Sequence, residues 1–311
     1  KSLQLLLSLP CGVNPNVLHL LTPSKMNGSE ARTDSKHPKV LGDFPGHILP
    51  GVLFFIVALW WSIKNILKHV CKQQKRSSFL FTKEFFFRVE ILEGIVFVGM
   101  STVGIIGLYL VLGKRNQLPD KESQFVLVLH WHHLAIYVFF AMLGVTKILC
   151  FTISSLPVSL VKLMLSNAFF VDAFIFYNHT YGRTMVDTFG HQLLSFAIFL
   201  AGLVAFIESL TKSNLILKLL RSSFTMLHGM WFLQVAFILY PQNRDHMWDL
   251  SDHSNVMFLV SCFSFYYALT YVIIGINYAL ITWISHVTQA GLELVILLSP
   301  SAKSGDYRAA C

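Results

Sequence analysis

Charged residues are scarce in this sequence. They make up 13% of its 311 residues, whereas an ordinary soluble domain contains about 25%. Hydrophobic residues account for 54%, and 27 Phe, 10 Tyr and 6 Trp add bulk that a water-exposed surface does not accommodate. The shortage of charge argues against a water-soluble fold and predicts that lipid surrounds most of the chain.

Several functional motifs are also missing. The five cysteines are widely scattered without a C-x-x-C pair, so the sequence indicates neither a disulfide framework nor a zinc ribbon. It contains no H-E-x-x-H pair, phosphate-binding glycine loop, nucleophile elbow or dinucleotide fingerprint. The basic residues lie in short segments between apolar runs, so the net charge of +8 indicates membrane topology and not nucleic-acid binding.

Seven apolar segments are long enough to cross a bilayer, which takes about 20 residues. They lie near 47–66, 89–112, 126–149, 156–178, 187–208, 215–240 and 256–284. Because a spanning backbone must satisfy its own hydrogen bonds, these runs predict an all-α integral membrane bundle of seven transmembrane helices. The predicted bundle covers 42–285, after a flexible N-terminal segment (1–41) and before a poorly structured tail (286–311).

The connection after the first helix is rich in lysine and arginine, which the positive-inside rule places in the cytoplasm. The N-terminus is then lumenal or extracellular and the C-terminus cytoplasmic. Four of these cations are expected to contact anionic lipid or, more simply, to set topology: Lys68, Lys72, Lys75 and Arg76. Cys71 lies among them, as a palmitoylated cysteine or a plain juxtamembrane thiol. On the other side, Asn27 begins a glycosylation sequon.

Four polar residues are predicted to meet near the lumenal ends of helices three, four and five: His133, Asp172, His179 and His191. A charged side chain inside the membrane is costly, so Asp172 is expected to pair with one of these histidines. Three interpretations stay open. The groups satisfy one another and fix helix packing, they pass protons or bind an ion, or His133, His179 and His191 hold zinc or haem.

Three carboxylates mark the predicted cytoplasmic side: Glu90, Glu93 and Glu208. Glu90 and Glu93 are expected in the first turn of helix two, where they favour the helix dipole and Arg88 can pair with them. The alternative is that all three line the inner mouth of a polar path. In the same helix, the glycines at 94, 99, 104 and 107 predict a small-residue face for close helix packing.

Between Gly42 and about Ser285 the chain resembles the transmembrane protein 45 family. The resemblance rests on GDFPGHILPG (42–51), FRVEILEGIVFVGM (87–100), WHHLAIYVFF (131–140), the long run CFTISSLPVSLVKLMLSNAFFVDAFIFYNHTYGR (150–183) and WFLQVAFILYP (231–241). It implies a multi-pass protein of secretory and endosomal membranes without an established catalytic role. The chain departs from the family pattern at Phe265-Tyr266, where the family has Trp-His, and at His228, where it has glutamine.

These observations favour a non-enzymatic membrane component that organises or traffics membranes and engages lipid or other membrane proteins, in the secretory pathway, endosomes or plasma membrane. One alternative is a proton- or ion-coupled transporter that uses Asp172 and the lumenal histidines. The other is a metal-dependent intramembrane enzyme that uses His133, His179 and His191.

Overall fold

Seven helices follow one another in the computed structural model, which describes residues 44–73, 83–115, 120–178, 180, 183–212, 214–241 and 249–298. They are α1 (Phe44–Gln73), α2 (Lys83–Arg115), α3 (Asp120–Thr152), α4 (Ser159–Asn178), α5 (Met185–Leu210), α6 (Leu215–Leu239) and α7 (His253–Leu298). Each contains a stretch long and apolar enough to cross a membrane, and the described residues contain no strand. The predicted all-α bundle of seven spanning helices is confirmed.

Two helix boundaries differ from the sequence-based expectation. α2 begins at Lys83 and not near residue 89, so Glu90 and Glu93 lie beyond its first turn. α7 continues past Ser285 to Leu298, so the first part of the predicted tail is helical. The predicted N-terminal segment, 1–41, lies outside the described residues.

Large apolar side chains cover the outside of the bundle. Val103 and Phe174 are each 70% exposed, and Leu210 and Met257 are 72% exposed. An apolar surface this extensive is a liability in water, whereas the hydrocarbon of a bilayer accommodates it without cost. The surface therefore fits a chain whose helices are surrounded by lipid.

α6 is the central helix of the bundle and packs against α1, α5 and α7. Nearly all of its side chains are buried, including polar ones. Thr225 donates a hydrogen bond to the carbonyl oxygen of Arg221, and Ser222 donates to that of Lys218, both at 2.9 Å. Because these hydroxyls bond within their own helix, α6 can bury them without requiring partners on its neighbours.

Glycines allow α1 and α6 to approach closely. A Cβ added at Gly229 would lie 2.5 Å from the backbone nitrogen of Phe55 and 2.8 Å from the carbonyl oxygen of Gly51. Both are backbone atoms, which cannot rotate away as a side chain can. Small residues such as these two glycines let the backbones of membrane helices approach closely where the helices cross.

The contact between α2 and α3 uses part of the glycine face predicted from the sequence. A Cβ at Gly94 would lie 2.9 Å from the carbonyl oxygen of Gly144 on α3, and one at Gly104 would overlap the ring of Tyr137. Gly99 and Gly107 have open space around their added Cβ positions. The helix face therefore packs through two of its four glycines.

Contacts between the end of one helix and the start of the next show that successive helices run in opposite directions. At one end, side chains from the last turns of α1 and α3 meet the first turns of α2; we call this end the basic face. At the other, the opposite face, the ring of His47 near the start of α1 lies 5.6 Å from that of His191 and 5.4 Å from that of Tyr240. The backbone N–H of Val186 also donates to the carbonyl oxygen of Leu250 there.

Replacement of Gly229 by alanine is expected to destabilise the bundle by about 1–3 kcal/mol, because the new methyl group overlaps backbone atoms of α1. The measurement is the thermal unfolding midpoint of the detergent-purified protein. Gly107→Ala is the matched control, since it adds the same methyl group in open space and removes a flexible residue from a helix. Equal midpoints for the two variants would contradict the close contact.

Candidate functional site

Five charged side chains form a cluster near the basic face, which we call the lysine–glutamate cluster: Lys64 and Lys68 of α1, Glu90 and Glu93 of α2, and Lys147 of α3. Lys64 Nζ lies 3.2 Å from Glu90 Oε2 and 2.5 Å from Glu93 Oε1. Lys147 Nζ lies 2.7 Å from Glu90 Oε2 and also pairs with Glu93. Lys68 Nζ lies 2.6 Å from Glu90 Oε1.

The spacing of these residues follows the helix period. Lys64 and Lys68 are four residues apart, and Glu90 and Glu93 are three apart, so each pair lies on one helix face. Trp60, one turn before Lys64, adds a hydrogen bond from its indole N–H to Glu93 Oε1 at 2.6 Å. Lys64, Lys147 and Glu93 are all buried. The cluster therefore joins three helices through charges that each have an opposite partner.

This arrangement corrects the expectation for Glu90 and Glu93. They were expected to pair with Arg88 and to act on the helix dipole, but their partners are lysines on two other helices. The physical reason is that α2 begins earlier, at Lys83, which moves both carboxylates into the bundle. Lys147 was missed, although a single cation in the apolar run of α3 is itself a signal of a buried partner.

Glu208 forms a separate cluster on α4, α5 and α6. Arg221 Nε donates to Glu208 Oε2 at 2.9 Å, and Lys162 Nζ lies 3.4 Å from Glu208 Oε1. The Arg221 guanidinium carbon also lies 4.6 Å from the centre of the Trp61 ring, a cation–π contact with α1. Glu208 is thus paired with cations of its own and does not share those of Glu90 and Glu93.

A third polar group lies at the opposite face, around the start of α5. Arg183 Nη1 lies 3.1 Å from Asp187 Oδ1 and 3.0 Å from Asp187 Oδ2. His191 Nδ1 lies 2.9 Å from Asp187 Oδ1 and 2.9 Å from the Asp187 carbonyl oxygen. Both neighbours are acceptors, so this ring nitrogen carries the proton. Asp187 and His191 are four residues apart on α5, and Arg183 precedes the helix, so the three side chains form one buried chain at its start.

The expected pairing of Asp172 with His133 or His191 is not found. Among the described residues neither oxygen of Asp172 has a hydrogen-bond partner, although the side chain is buried. His191 is engaged by Asp187 on its own helix instead. His133 is half-buried on α3, and His179 lies outside the described residues. The partner of His191 is therefore Asp187 and not Asp172. The predicted meeting of all four residues stays a prediction, because His179 is not described.

The proposed metal site depends on His179 and is therefore untested. Within the described part of the chain, no three His, Cys, Asp or Glu side chains come together in a way that could hold a metal ion. His133 and His191 are described, but a third histidine is required for the predicted zinc or haem ligand set. The suggestion of zinc or haem stays a prediction.

His228 of α6 is the second buried ionisable group whose polar atoms lack partners. Neither ring nitrogen has a hydrogen-bond partner among the described residues, and the side chain is 0% exposed. The ring lies 4.1 Å from that of Phe54 and 5.8 Å from that of Phe232, measured between centroids. Sequence reasoning noted His228 as a departure from a family pattern. Nothing in its local spacing identifies it as buried.

A match to a family model covers the second half of the bundle. Residues 158–279 match the model of a family of unknown function, DUF716. The chain is also 26% identical over 152 residues to Transmembrane epididymal protein 1 of Homo sapiens. That alignment covers 48% of this chain and 54% of the relative, so the chain spans about half the length of this relative. These similarities agree with a multi-pass membrane protein.

The region that matches the family model contains some of the polar groups described above and leaves out others. It includes α4 to α6 and most of α7, and therefore Asp172, Glu208 and His228. The lysine–glutamate cluster lies before it, on α1 to α3. Within the matched region, Tyr266 of α7 donates a hydrogen bond to Gln234 Oε1 of α6 at 2.8 Å. Tyr266 thus makes a buried polar contact between α6 and α7.

Loss of one charge from the lysine–glutamate cluster is expected to be costly, whereas loss of an opposite pair is expected to cost less. Lys147→Gln leaves two buried carboxylates with fewer cations, for which about 3–5 kcal/mol is typical. Adding Glu93→Gln to this variant removes a carboxylate that had paired with Lys147 and returns the net charge of the cluster to that of the unaltered protein. The measurement is a double-mutant cycle on the free energy of unfolding in detergent. Additive effects of the two substitutions would contradict direct pairing.

Proposed function

We propose that this chain is a non-enzymatic membrane component that organises or traffics membranes by binding anionic lipid at its basic face. In this proposal the basic face lies in the cytoplasm and the N-terminus lies on the other side of the membrane. The membrane belongs to the secretory pathway, to endosomes or to the cell surface (plasma membrane). The resemblance to the transmembrane protein 45 family supports this setting. Other membrane proteins are further candidate partners.

A pocket at the basic face carries the proposal. It lies between the end of α1 and the start of α6, and its polar lining is His69, Lys72, Gln73, Lys212 and Asn214. Lys72 and Lys212 are both exposed. An anionic headgroup between them would contact two cations from different parts of the chain, each worth about 1 kcal/mol near a membrane surface.

The start of α6 adds a second attraction for an anion. Asn214 is the N-cap of this helix, and its side chain accepts a hydrogen bond from the backbone N–H of Ile216 at 2.9 Å. The unpaired N–H groups and the dipole of a helix N-terminus favour negative charge. Phosphate of a lipid headgroup therefore matches both the lysines and the helix end that line the pocket.

The other lysines at this face contribute less, because carboxylates already engage them. Lys68, predicted to contact lipid, pairs with Glu90 while its side chain remains 33% exposed. Lys162 pairs with Glu208. Lys75 and Arg76 lie outside the described residues, and their lipid contact stays a prediction. Cys71 lies in the last turns of α1, next to Lys72, where an attached acyl chain would add a second membrane anchor.

The test is lipid binding by the double variant Lys72→Gln/Lys212→Gln. Native mass spectrometry of the purified protein, titrated with phosphatidylserine and with phosphatidylcholine, reports the preference for the anionic lipid. Loss of two cations worth about 1 kcal/mol each is expected to reduce that preference about 30-fold. The fold is expected to be unchanged because both side chains are exposed.

The matched control is Lys114→Gln/Lys121→Gln, which removes the same charge where α2 ends and α3 begins, at the opposite face. This control is expected to retain the lipid preference of the unaltered protein. An equal loss in both double variants would show that net charge alone governs binding. No loss in either variant would exclude the pocket.

A further inference from the structure

Three lysines at the basic face lie outside the two clusters of ion pairs: Lys72, Lys212 and Lys218. Among the residues that the structure describes, no carboxylate lies within ion-pair distance of any of them. The lysines of the two clusters, by contrast, each contact a glutamate. The basic face thus presents three cations that an anionic ligand can engage without displacing an ion pair of the described chain.

Lys218 lies one helical turn below the pocket at the start of α6. Its backbone N–H donates to the carbonyl oxygen of Asn214 at 3.4 Å, and Asn214 and Leu215 both line the pocket. A residue three positions after Leu215 shares its helix face and lies about 5 Å deeper along the axis. Long side chains on a helix lean toward its N-terminus, so Lys218 leans toward the pocket. The pocket therefore has half-buried Lys218 at its base and exposed Lys72 and Lys212 in its lining.

The charges around Lys218 leave it in a positive environment. Lys218 interacts electrostatically with Lys68, Lys162 and Arg221, all of which repel it, and with one carboxylate, Glu208. Arg221 and Lys162 already pair with that carboxylate. An anion bound beside Lys218 would offset this repulsion, because unlike charges attract strongly where little water screens them.

We infer that the anionic lipid in this pocket is a phosphoinositide, whose headgroup carries a phosphodiester and a phosphate monoester on an inositol ring. The inference rests on the lipid site proposed above and names the headgroup that the site selects. A phosphodiester carries one negative charge and a monoester about 1.5 to 2, so together they match three lysines. Phosphatidylserine, with a net charge of −1, leaves two of the three unmatched. Basic pockets between membrane helices suit such phosphorylated headgroups.

The depth of each lysine assigns it to one of the two phosphates. In a bilayer the phosphodiester lies next to the glycerol, whereas the ring and its monoester project toward water. Lys218, deeper on α6, is therefore placed to contact the phosphodiester, and the exposed Lys72 and Lys212 are placed to contact the monoester.

The neutral polar lining fits the hydroxyl groups of the ring. Gln73 and Asn214 both line the pocket, and an amide side chain can donate to a hydroxyl as well as accept from one. The Asn214 side-chain oxygen already accepts from the backbone N–H of Ile216, so its amide nitrogen is the group that donates. A polyol between two phosphates thus has partners of its own in the pocket.

Native mass spectrometry with two lipids that differ by one phosphate monoester tests the headgroup. These are phosphatidylinositol and phosphatidylinositol phosphate with the same acyl chains. Two cations at the monoester predict that the unaltered protein favours the phosphorylated lipid about 30-fold. Lys72→Gln/Lys212→Gln is expected to bring the two affinities close to equality. Equal binding of both lipids by the unaltered protein would overturn the inference.

Lys218→Gln tests the assignment of the phosphodiester. Both lipids contain this group, so the variant is expected to weaken both about fivefold and to leave their ratio unchanged. Lys218→Arg keeps the charge and is expected to retain binding. The control Lys83→Gln removes one charge at the start of α2, a helix that contributes no described residue to the pocket. A change in the ratio alone, or an equal loss in the control, would contradict the contact of Lys218.

Two further ligands separate a phosphoinositide from related anions. Phosphatidic acid carries a phosphate monoester without the ring, and soluble inositol bisphosphate carries the phosphates without acyl chains. Both are expected to bind more weakly than phosphatidylinositol phosphate. Equal binding of phosphatidic acid would exclude recognition of the ring, and equal binding of the soluble compound would exclude a lipid as the selected ligand.

The failure of this inference is distinguishable from failure of the proposed function. A protein that prefers phosphatidylserine to phosphatidylcholine, but does not distinguish phosphatidylinositol from its phosphate, retains the lipid site and loses the assigned headgroup. A protein without either preference loses both.

Discussion

The bundle depends on the pairing of lysines with glutamates in a place that offers little water. Lys64, Lys147, Glu90 and Glu93 come from three helices, and a bilayer does not solvate any of them if the helices separate. The charges therefore specify how α1, α2 and α3 are rotated and how deep each one lies. Apolar packing alone specifies helix rotation and depth poorly, because an apolar helix surface has a similar free energy against lipid and against another helix.

Polar groups that the bilayer does not solvate are accommodated differently at each depth of the bundle. Near the basic face, opposite charges on separate helices meet, and Arg221 extends the contact to Trp61 through its guanidinium group. At the opposite face, Arg183, Asp187 and His191 satisfy one another along the start of α5. At the centre, aromatic rings surround Asp172 and His228 without supplying a hydrogen bond. Two ends held by ion pairs thus enclose a middle layer held mainly by rings.

Sequence reasoning predicted the spanning helices because the bilayer demands about 20 apolar residues for each crossing. It did not predict which charged residues meet, because that depends on the rotation of each helix and on which helices are neighbours. Glu90 and Glu93 illustrate the difficulty, since their lysine partners are distant in the chain. The pair Asp187 and His191 was easier to find in principle, because a spacing of four within α5 places both side chains on one helix face. His228 gave no signal of burial, since a lone histidine in an apolar run also suits a helix end.

The most enclosed helix of the seven, α6, is also the least apolar of them. Other helices, and not acyl chains, surround its serines, threonine and histidine once the protein is complete. During synthesis, however, this segment emerges before α7, so only the preceding helices are available to pack against it. Its entry into the bilayer is therefore expected to rely on α1 and α5 already being in place, so that membrane integration of this chain becomes a cooperative event between segments far apart in sequence.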